Sequence, residues 1–234
     1  MRLVLFDCDG TLADTFGLIV ETMRRCFVES GLPEPDAAAV RGIIGLSLDL
    51  AIHRLAPTVP EAELPRLVLA YKDAFHRVRA EGVHSEALFP GIEPMLRRLS
   101  ARDDLLIGMV TGKSRRGVRV ITELHGLDGL FLAVRTADDC PSKPHPAMVL
   151  ECCTELGVAP ADTLVIGDAV YDIQMAKAAG AMALGVDWGA GSPNELLFHG
   201  AEAVAATAEG LEAWIEDWLA SAPDPADRIV LSAV

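Results

Sequence analysis

Short apolar runs that stop abruptly at polar residues are the feature of this sequence that most constrains its fold. The first run, residues 3–6, stops at Asp7, and the run at residues 163–166 stops at Gly167 and Asp168. A continuous apolar run of this length is typical of a strand that is buried on both faces, as in a parallel sheet. The five runs that we interpret as strands cover residues 3–6, 105–110, 131–134, 163–166 and 181–186.

Segments with a helical spacing of apolar residues lie between the later runs. They cover residues 114–125, 146–156 and 170–179, and the last of them precedes Gly180, a residue type that is common at helix ends. Strands that alternate with helices predict an α/β fold, a doubly wound parallel sheet with helices on both faces. Ligands of such sheets bind at the carboxyl ends of the strands, so the polar residues that end the runs are candidates for a functional site.

The segment between the first two predicted strands contains no strand-like run. Its apolar residues, such as Leu18, Met23 and Phe27, follow a helical spacing, and the segment is too long for a simple crossover. We therefore predict an inserted helical domain that is closed by the turn-like residues 89–91. The predicted parts are an α/β core of residues 1–14 and 87–220, a helical cap of residues 15–86 and a flexible tail of residues 221–234.

The composition argues against several classes of protein and partner. Hydrophobic residues make up 51% of the chain and charged residues 23%, which favours a folded protein over a disordered one. A net charge of −14 disfavours binding to nucleic acid or to anionic membranes, and no apolar stretch is long enough to span a bilayer. The spacing of the five cysteines suits neither a disulfide framework nor zinc, so we expect free thiols and a cytoplasmic protein. Nothing in the sequence sets the oligomeric state.

The strongest chemical signal is the segment of residues 7–11, Asp-Cys-Asp-Gly-Thr, directly after the first predicted strand. Side chains two positions apart in an extended chain point in the same direction, so Asp7 and Asp9 converge at the strand end. Paired carboxylates suit a divalent cation, or a nucleophile with an acid/base partner. Asp-Gly is also common in turns, so this motif alone leaves a purely structural role open.

Three further motifs follow later strand-like runs. Thr111 and Gly112 offer a hydroxyl and an unhindered backbone N–H before a helix, which suits phosphate oxygens, and Lys143 adds a cation. Asp168 and Asp172 add two carboxylates, although a first-turn aspartate and a surface lysine are common without any function. Four carboxylates at one sheet edge would repel each other unless a hard cation lay among them. Magnesium is the natural candidate because it shares its ligand shell with phosphate.

The order of these motifs, DxDGT, Thr-Gly, Lys-Pro and GDxxxD, resembles the haloacid dehalogenase superfamily. The helical insert after the first motif is similar to the subgroup with an α-helical cap, phosphoglycolate phosphatase-like enzymes in particular. The resemblance covers roughly residues 1–220. It implies a Rossmann-like core and a magnesium-dependent phosphatase of a small phosphorylated metabolite.

The resemblance also implies a role for each motif residue. Asp7 would attack phosphorus and form an aspartyl phosphate, and Asp9 would protonate the leaving alcohol and later activate water. Thr111 and Lys143 would hold phosphate oxygens, and Gly112 would allow the close approach of the backbone. The metal ligands would be Asp7, the backbone carbonyl of Asp9, Asp168 and Asp172.

One position departs from the family pattern, and several alternatives stay open. Ala169 stands where relatives often carry a hydroxyl residue, which removes one hydrogen bond around the metal ligands. Dehalogenases lack the second aspartate, so Asp9 argues against that reaction. A phosphonate hydrolase would need a cap lysine, for which Lys72 is the only candidate in the insert, and a sugar-phosphate mutase would share both aspartates. A catalytically silent binding protein would have lost Asp7 or Asp9, and a receiver-like protein would lack the insert.

The core motifs do not identify the substrate, because in this fold the cap selects what enters. The cations of the insert that we consider are Arg41, Lys72 and His76, each of which is also compatible with a solvated helix surface. Arg41 stands just before Gly42 and near Gly45, which favours a loop or a helix end. A guanidinium there could face the cleft and bind a second anionic group, so we take Arg41 as a candidate specificity residue.

Overall fold

The computed structural model describes residues 1–221, in which six strands form one parallel sheet. The spatial order is β3-β2-β1-β4-β5-β6, so the chain starts in the middle and fills one side and then the other. This order is that of a doubly wound α/β fold and confirms the predicted class. The strands are β1 (Arg2–Phe6), β2 (Leu105–Val110), β3 (Ala133–Arg135), β4 (Thr163–Gly167), β5 (Met182–Val186) and β6 (Ala203–Ala205).

The register of the central strands decides where the polar strand ends meet. Phe6, the last residue of β1, lies opposite Met109 of β2 and Ile166 of β4. The backbone N–H of Asp7 donates to the carbonyl of Ile166 at 2.9 Å, which extends the pairing by one residue. Because all three strands run in the same direction, the residues that follow them leave the sheet at one edge.

The segment that follows β1 folds into four helices with a core of their own. Met23 and Phe27 pack there with Ile52 and Leu67, and all four side chains are nearly inaccessible to solvent. These helices confirm the inserted helical cap, while the exact limits of core and cap stay a prediction. The helices are α1 (Phe16–Glu29), α2 (Ala37–Arg41), α3 (Leu48–Leu55) and α4 (Leu64–Ala80).

The remaining helices cover both faces of the sheet. Val4 and Phe6 belong to the apolar cluster on one face, whereas Leu3 and Leu5 belong to the cluster on the other. This division explains why the first strand is apolar at every position, as the prediction of a doubly buried strand requires. The helices of the core are α5 (Ile92–Ser100), α6 (Arg115–His125), α7 (Ala147–Leu156), α8 (Val170–Ala179), α9 (Pro193–Phe198) and α10 (Ala208–Ala220).

The structure differs from the prediction mainly at short elements. The third strand spans Ala133–Arg135, two residues later at its start than predicted, and β6 was missed because three small residues form no apolar run. Gly180 ends α8 in the left-handed region, at φ 77°, as predicted. The five cysteines are free and buried. Apart from Ser221, the predicted tail lies outside the described residues, and none of the helices within residues 1–221 has the length and apolar character needed to cross a membrane.

Candidate active site

Three carboxylates meet at the edge of the sheet where β1 and β4 end. Asp7 follows β1, Asp168 follows β4, and Asp172 lies in the first turn of α8. One oxygen of each lies within 4.8 Å of the others, and each residue is at most 1% exposed. The structure thus brings together three of the four carboxylates that the sequence singled out, in an arrangement that could hold a metal ion.

Lys143 is the cation inside this cluster. Its Nζ atom lies 2.8 Å from Oδ1 of Asp7 and 2.6 Å from Oδ1 of Asp172, and the residue is fully buried. Burial by itself would lower the pKa of Lys143, but the two carboxylates outweigh it and raise the pKa above the ordinary value. One ammonium beside three carboxylates leaves an excess of negative charge, which is costly in a buried site.

Burial is the main cause of raised pKa values at Asp7 and Asp168. Burial, only partly offset by Lys143, raises the pKa of Asp7 to about 7. Burial and the neighbouring charges of Asp172 and Asp7 raise the pKa of Asp168 to about 8. Apart from the ammonium of Lys143, the buried carboxylate oxygens of Asp7 face no hydrogen-bond donor within residues 1–221. Oxygens of this kind suit a hard cation, so the residues present fit magnesium.

The other two carboxylates are held in place by neighbouring donors. Asp168 accepts hydrogen bonds from the Thr11 hydroxyl at 2.7 Å and from the backbone N–H of Ala190 at 2.8 Å. Asp172 accepts one from the backbone N–H of Ala169 at 3.0 Å. At position 169, therefore, a backbone N–H orients a carboxylate of the cluster although the side chain has no hydroxyl.

Asp9 stands apart from the cluster. Its carboxylate accepts a hydrogen bond from the Thr15 hydroxyl at 2.7 Å and pairs with Nζ of Lys113 at 2.6 Å. Sequence reasoning missed Lys113, although a cation directly after Thr111 and Gly112 was a signal that could have been used. Burial would lower the pKa of Lys113, but the charge of Asp9 outweighs it and raises the pKa. Asp9 is therefore paired with a charged ammonium on the side that faces the cap.

Thr111 and Gly112 lie where β2 ends, at the boundary with the cap. Thr111 is 1% exposed, and its hydroxyl accepts a hydrogen bond from the backbone N–H of Lys113 at 3.2 Å. A Cβ atom at position 112 would lie 2.5 Å from the carbonyl oxygen of Gly45 and 2.6 Å from that of Leu46. The cap backbone therefore makes a close approach that requires a glycine here, and the phosphate-binding role of Gly112 stays a prediction.

A cavity of about 540 Å³ lies between the cap and this edge of the core, and Asp9 and Lys113 are among the residues that line it. Arg41 does not line this cavity, contrary to its proposed place in the cleft. It is the last residue of α2, and its exposed guanidinium lies over the ring of Phe16, 5.5 Å from the ring centroid. Lys72 and His76, the other cations considered in the insert, do line it.

Comparison with known proteins agrees with this geometry. Residues 4–186 match the family model described as haloacid dehalogenase-like hydrolase. The chain belongs to this family. Among its relatives, the "Probable phosphatase IndB" of Dickeya dadantii is 34% identical over 83% of this chain and 84% of the relative. A phosphoglycolate phosphatase of Pseudomonas putida is 30% identical over 80% of this chain and 70% of the relative.

The fold of this haloacid dehalogenase-like hydrolase is also found among solved structures. The crystal structure of a hydrolase from Pseudomonas syringae superposes with a TM-score of 0.82, at 24% identity over 93% of this chain and 99% of that chain. At this level of identity the likeness concerns the fold alone, including the helical insert that the superposition covers.

Proposed function

We propose that this haloacid dehalogenase-like hydrolase is a phosphatase that cleaves a small phosphomonoester through an aspartyl phosphate on Asp7, with magnesium as its cofactor. One observation supports the proposal most strongly: the two buried oxygens of Asp7 lie in a cluster of three carboxylates, and within residues 1–221 Lys143 is the only cation that faces them. The relatives that are named phosphatases support the same reaction class.

Magnesium would be held by the carboxylates of Asp7, Asp168 and Asp172, and by the backbone carbonyl of Asp9. The all-oxygen donor set suits a hard divalent cation. When bound, the ion supplies the positive charge that lets a carboxylate approach an anionic phosphate. Thr11 and Ala190 hold Asp168 in place for this purpose.

In the first half-reaction, an oxygen of Asp7 attacks phosphorus while the bond between phosphorus and the substrate alcohol oxygen breaks. Asp9, in its protonated form, donates its proton to the departing alkoxide, so the alcohol leaves neutral. Lys143 and Thr111 bind the other phosphate oxygens. Because phosphoryl transfer depends on in-line positioning and charge stabilisation, these fixed and buried groups provide most of what the step needs.

In the second half-reaction, the Asp9 carboxylate takes a proton from water as the water oxygen attacks phosphorus. The bond between phosphorus and Asp7 breaks, inorganic phosphate leaves, and Asp7 is restored with Asp9 protonated for the next cycle. Lys113, whose Nζ lies 2.6 Å from the Asp9 carboxylate, would hold this carboxylate in place for the base step.

The proposal is tested by phosphate release from p-nitrophenyl phosphate with magnesium present. A chelator should abolish the release and added magnesium should restore it. Asp7→Asn, which keeps the size but removes the nucleophile, should reduce the rate to background. The matched control Asp103→Asn changes an exposed aspartate far from the site and should keep full activity. Appreciable turnover by Asp7→Asn, or full activity in the chelator, would contradict the mechanism.

A further inference from the structure

The cavity beneath the cap is large for the smallest phosphoesters. Its volume is about 540 Å³. Pockets that bind drug-sized ligands have volumes of roughly 300–1,000 Å³. A two-carbon phosphoester would leave most of this space empty. Asp9 and Lys113 lie in its wall, so the cavity opens onto the group that would protonate the leaving alcohol.

The cap side of the cavity is apolar. On α4, Val68, Tyr71 and Phe75 follow each other at intervals of three and four residues, so one face of the helix presents all three. The rings of Tyr71 and Phe75 lie 6.2 Å apart, centroid to centroid, and form a continuous aromatic surface. The apolar residues that α1 and α4 contribute to this lining are Ile19, Met23, Val68, Tyr71 and Phe75, and we refer to them as the apolar wall.

The charged groups around the cavity do not offer a buried partner for a second anionic group. Lys113 is paired with Asp9 and Arg79 with Glu86, so these two cations are already compensated. The other charged residues of the lining within residues 1–221 are all exposed at its mouth: Asp49, Lys72, His76, Arg116 and Asp138. Because exposed charges are screened by solvent, the apolar wall is the main basis on which this cavity can select a ligand.

We propose that the substrate is a phosphomonoester of an alcohol with an apolar body about the size of a six-membered ring, which packs against the apolar wall while its phosphate lies at Asp7. This inference rests on the proposed function and specifies its leaving group. It predicts a preference for a ring-bearing ester over a two-carbon acid such as phosphoglycolate, although a relative carries the name of that substrate.

Binding tests the inference without any need for turnover. Asp7→Asn is titrated by calorimetry, in magnesium, with cyclohexylmethyl phosphate, ethyl phosphate and phosphoglycolate. The ring-bearing ester should bind at least about tenfold more tightly than either small ester, since even one methylene in an apolar pocket can contribute about tenfold or more. Equal affinities, or tighter binding of phosphoglycolate, would overturn the inference.

Variants of the apolar wall give a second measurement. Phe75→Ala should lower the ratio of kcat/KM for cyclohexylmethyl phosphate over ethyl phosphate about tenfold. The matched control Leu69→Ala lies on the same helix, 63% exposed and outside the cavity lining, and should leave the ratio unchanged. If Phe75→Ala does not fold, Val120→Phe narrows the cavity from the core side and should lower the same ratio. An unchanged ratio in a folded variant of either kind would contradict the inference.

The two proposals fail in different ways. Selective binding of the ring-bearing ester without phosphate release from any ester would refute the phosphatase and leave the apolar-bodied ligand standing. Phosphate release with no preference among the esters would confirm the phosphatase and refute the apolar-bodied substrate.

Discussion

The carboxylate cluster at the sheet edge and the apolar wall of the cap differ in how they are built. The cluster consists of a few buried ionisable groups: Asp7 and Asp168 directly after strands, Asp172 in the first turn of a helix, and Lys143 in the segment between β3 and α7. The apolar wall is spread over two helices and carries no buried charge. The residues that we expect to react with phosphate occupy positions set by the register of the sheet. The residues that we expect to select the substrate form a wider surface, on which one side chain can change without the others.

Beside these two regions, polar contacts join the core to the cap. The backbone N–H of Ser47 in the cap donates to the Ser142 hydroxyl at 2.8 Å. Tyr171, next to Asp172 on α8, donates from its hydroxyl to the carbonyl of Gly42 at 3.1 Å. Since the sheet edge holds the cluster by its own contacts, the apolar wall can vary without loss of the chemistry.

Asp9 lines the cavity and lies outside the carboxylate cluster, and its substitution should give the largest effect among the following tests. Asp9→Asn should lower the rate of alkyl phosphate hydrolysis by about 10²–10⁴-fold, because the leaving alkoxide then lacks its proton donor. With p-nitrophenyl phosphate the first half-reaction needs no proton, so stopped-flow absorbance should show a burst of nitrophenolate followed by slow turnover. Equal losses with both esters and no burst would remove Asp9 from the acid role.

The stability of the magnesium-free protein should depend on pH because of the carboxylate cluster, whereas the apolar wall should contribute no such dependence. The folded pKa values of Asp7 and Asp168, about 7 and about 8, lie above those of the unfolded chain. At pH values between the unfolded and the folded pKa values, the folded state therefore binds more protons than the unfolded state. The free energy of unfolding consequently falls as the pH rises through this range. We expect a lower Tm at about pH 8.5 than at about pH 5.5, measured by calorimetry.

Two controls assign this loss to the cluster. Magnesium should reduce the difference in Tm, because the cation compensates the same carboxylates. Asp168→Asn should also reduce it, since one of the two raised pKa values is then absent. If neither magnesium nor Asp168→Asn reduces the difference in Tm, the groups that cause it lie outside the cluster.

The sequence predicted the cluster better than the cap, for a physical reason. The positions of Asp7 and Asp168 follow from motifs at strand ends, and parallel strands bring their carboxyl ends to the same edge. Helical spacing in the cap identifies apolar residues but not what each of them faces. Met23, for instance, belongs both to the core of the cap and to the wall of the cavity. The pairing of Lys113 with Asp9 joins two motifs far apart in the chain, so no local pattern contained it.

Arg41 should give the smallest effect, because its exposed side chain lies over Phe16 and outside the cavity lining. Exposed substitutions of this kind usually change free energies by about 0.5 kcal/mol or less, so Arg41→Ala should change KM by no more than about twofold. Steady-state kinetics with the ring-bearing and the small esters measures this. A tenfold rise in KM for one ester alone would return Arg41 to the substrate site that the sequence suggested.

Trapping the phosphorylated enzyme is the most direct test of whether Asp7 is the nucleophile. Asp9→Asn is mixed with p-nitrophenyl phosphate and magnesium, quenched in acid and analysed by peptide mass spectrometry, because slow water activation should let the intermediate accumulate. We expect one phosphoryl group on the peptide that contains Asp7, and none when Asp7→Asn is added to the same variant. Nitrophenolate released in a burst with no phosphoryl group on Asp7, or with one on another residue, would contradict it.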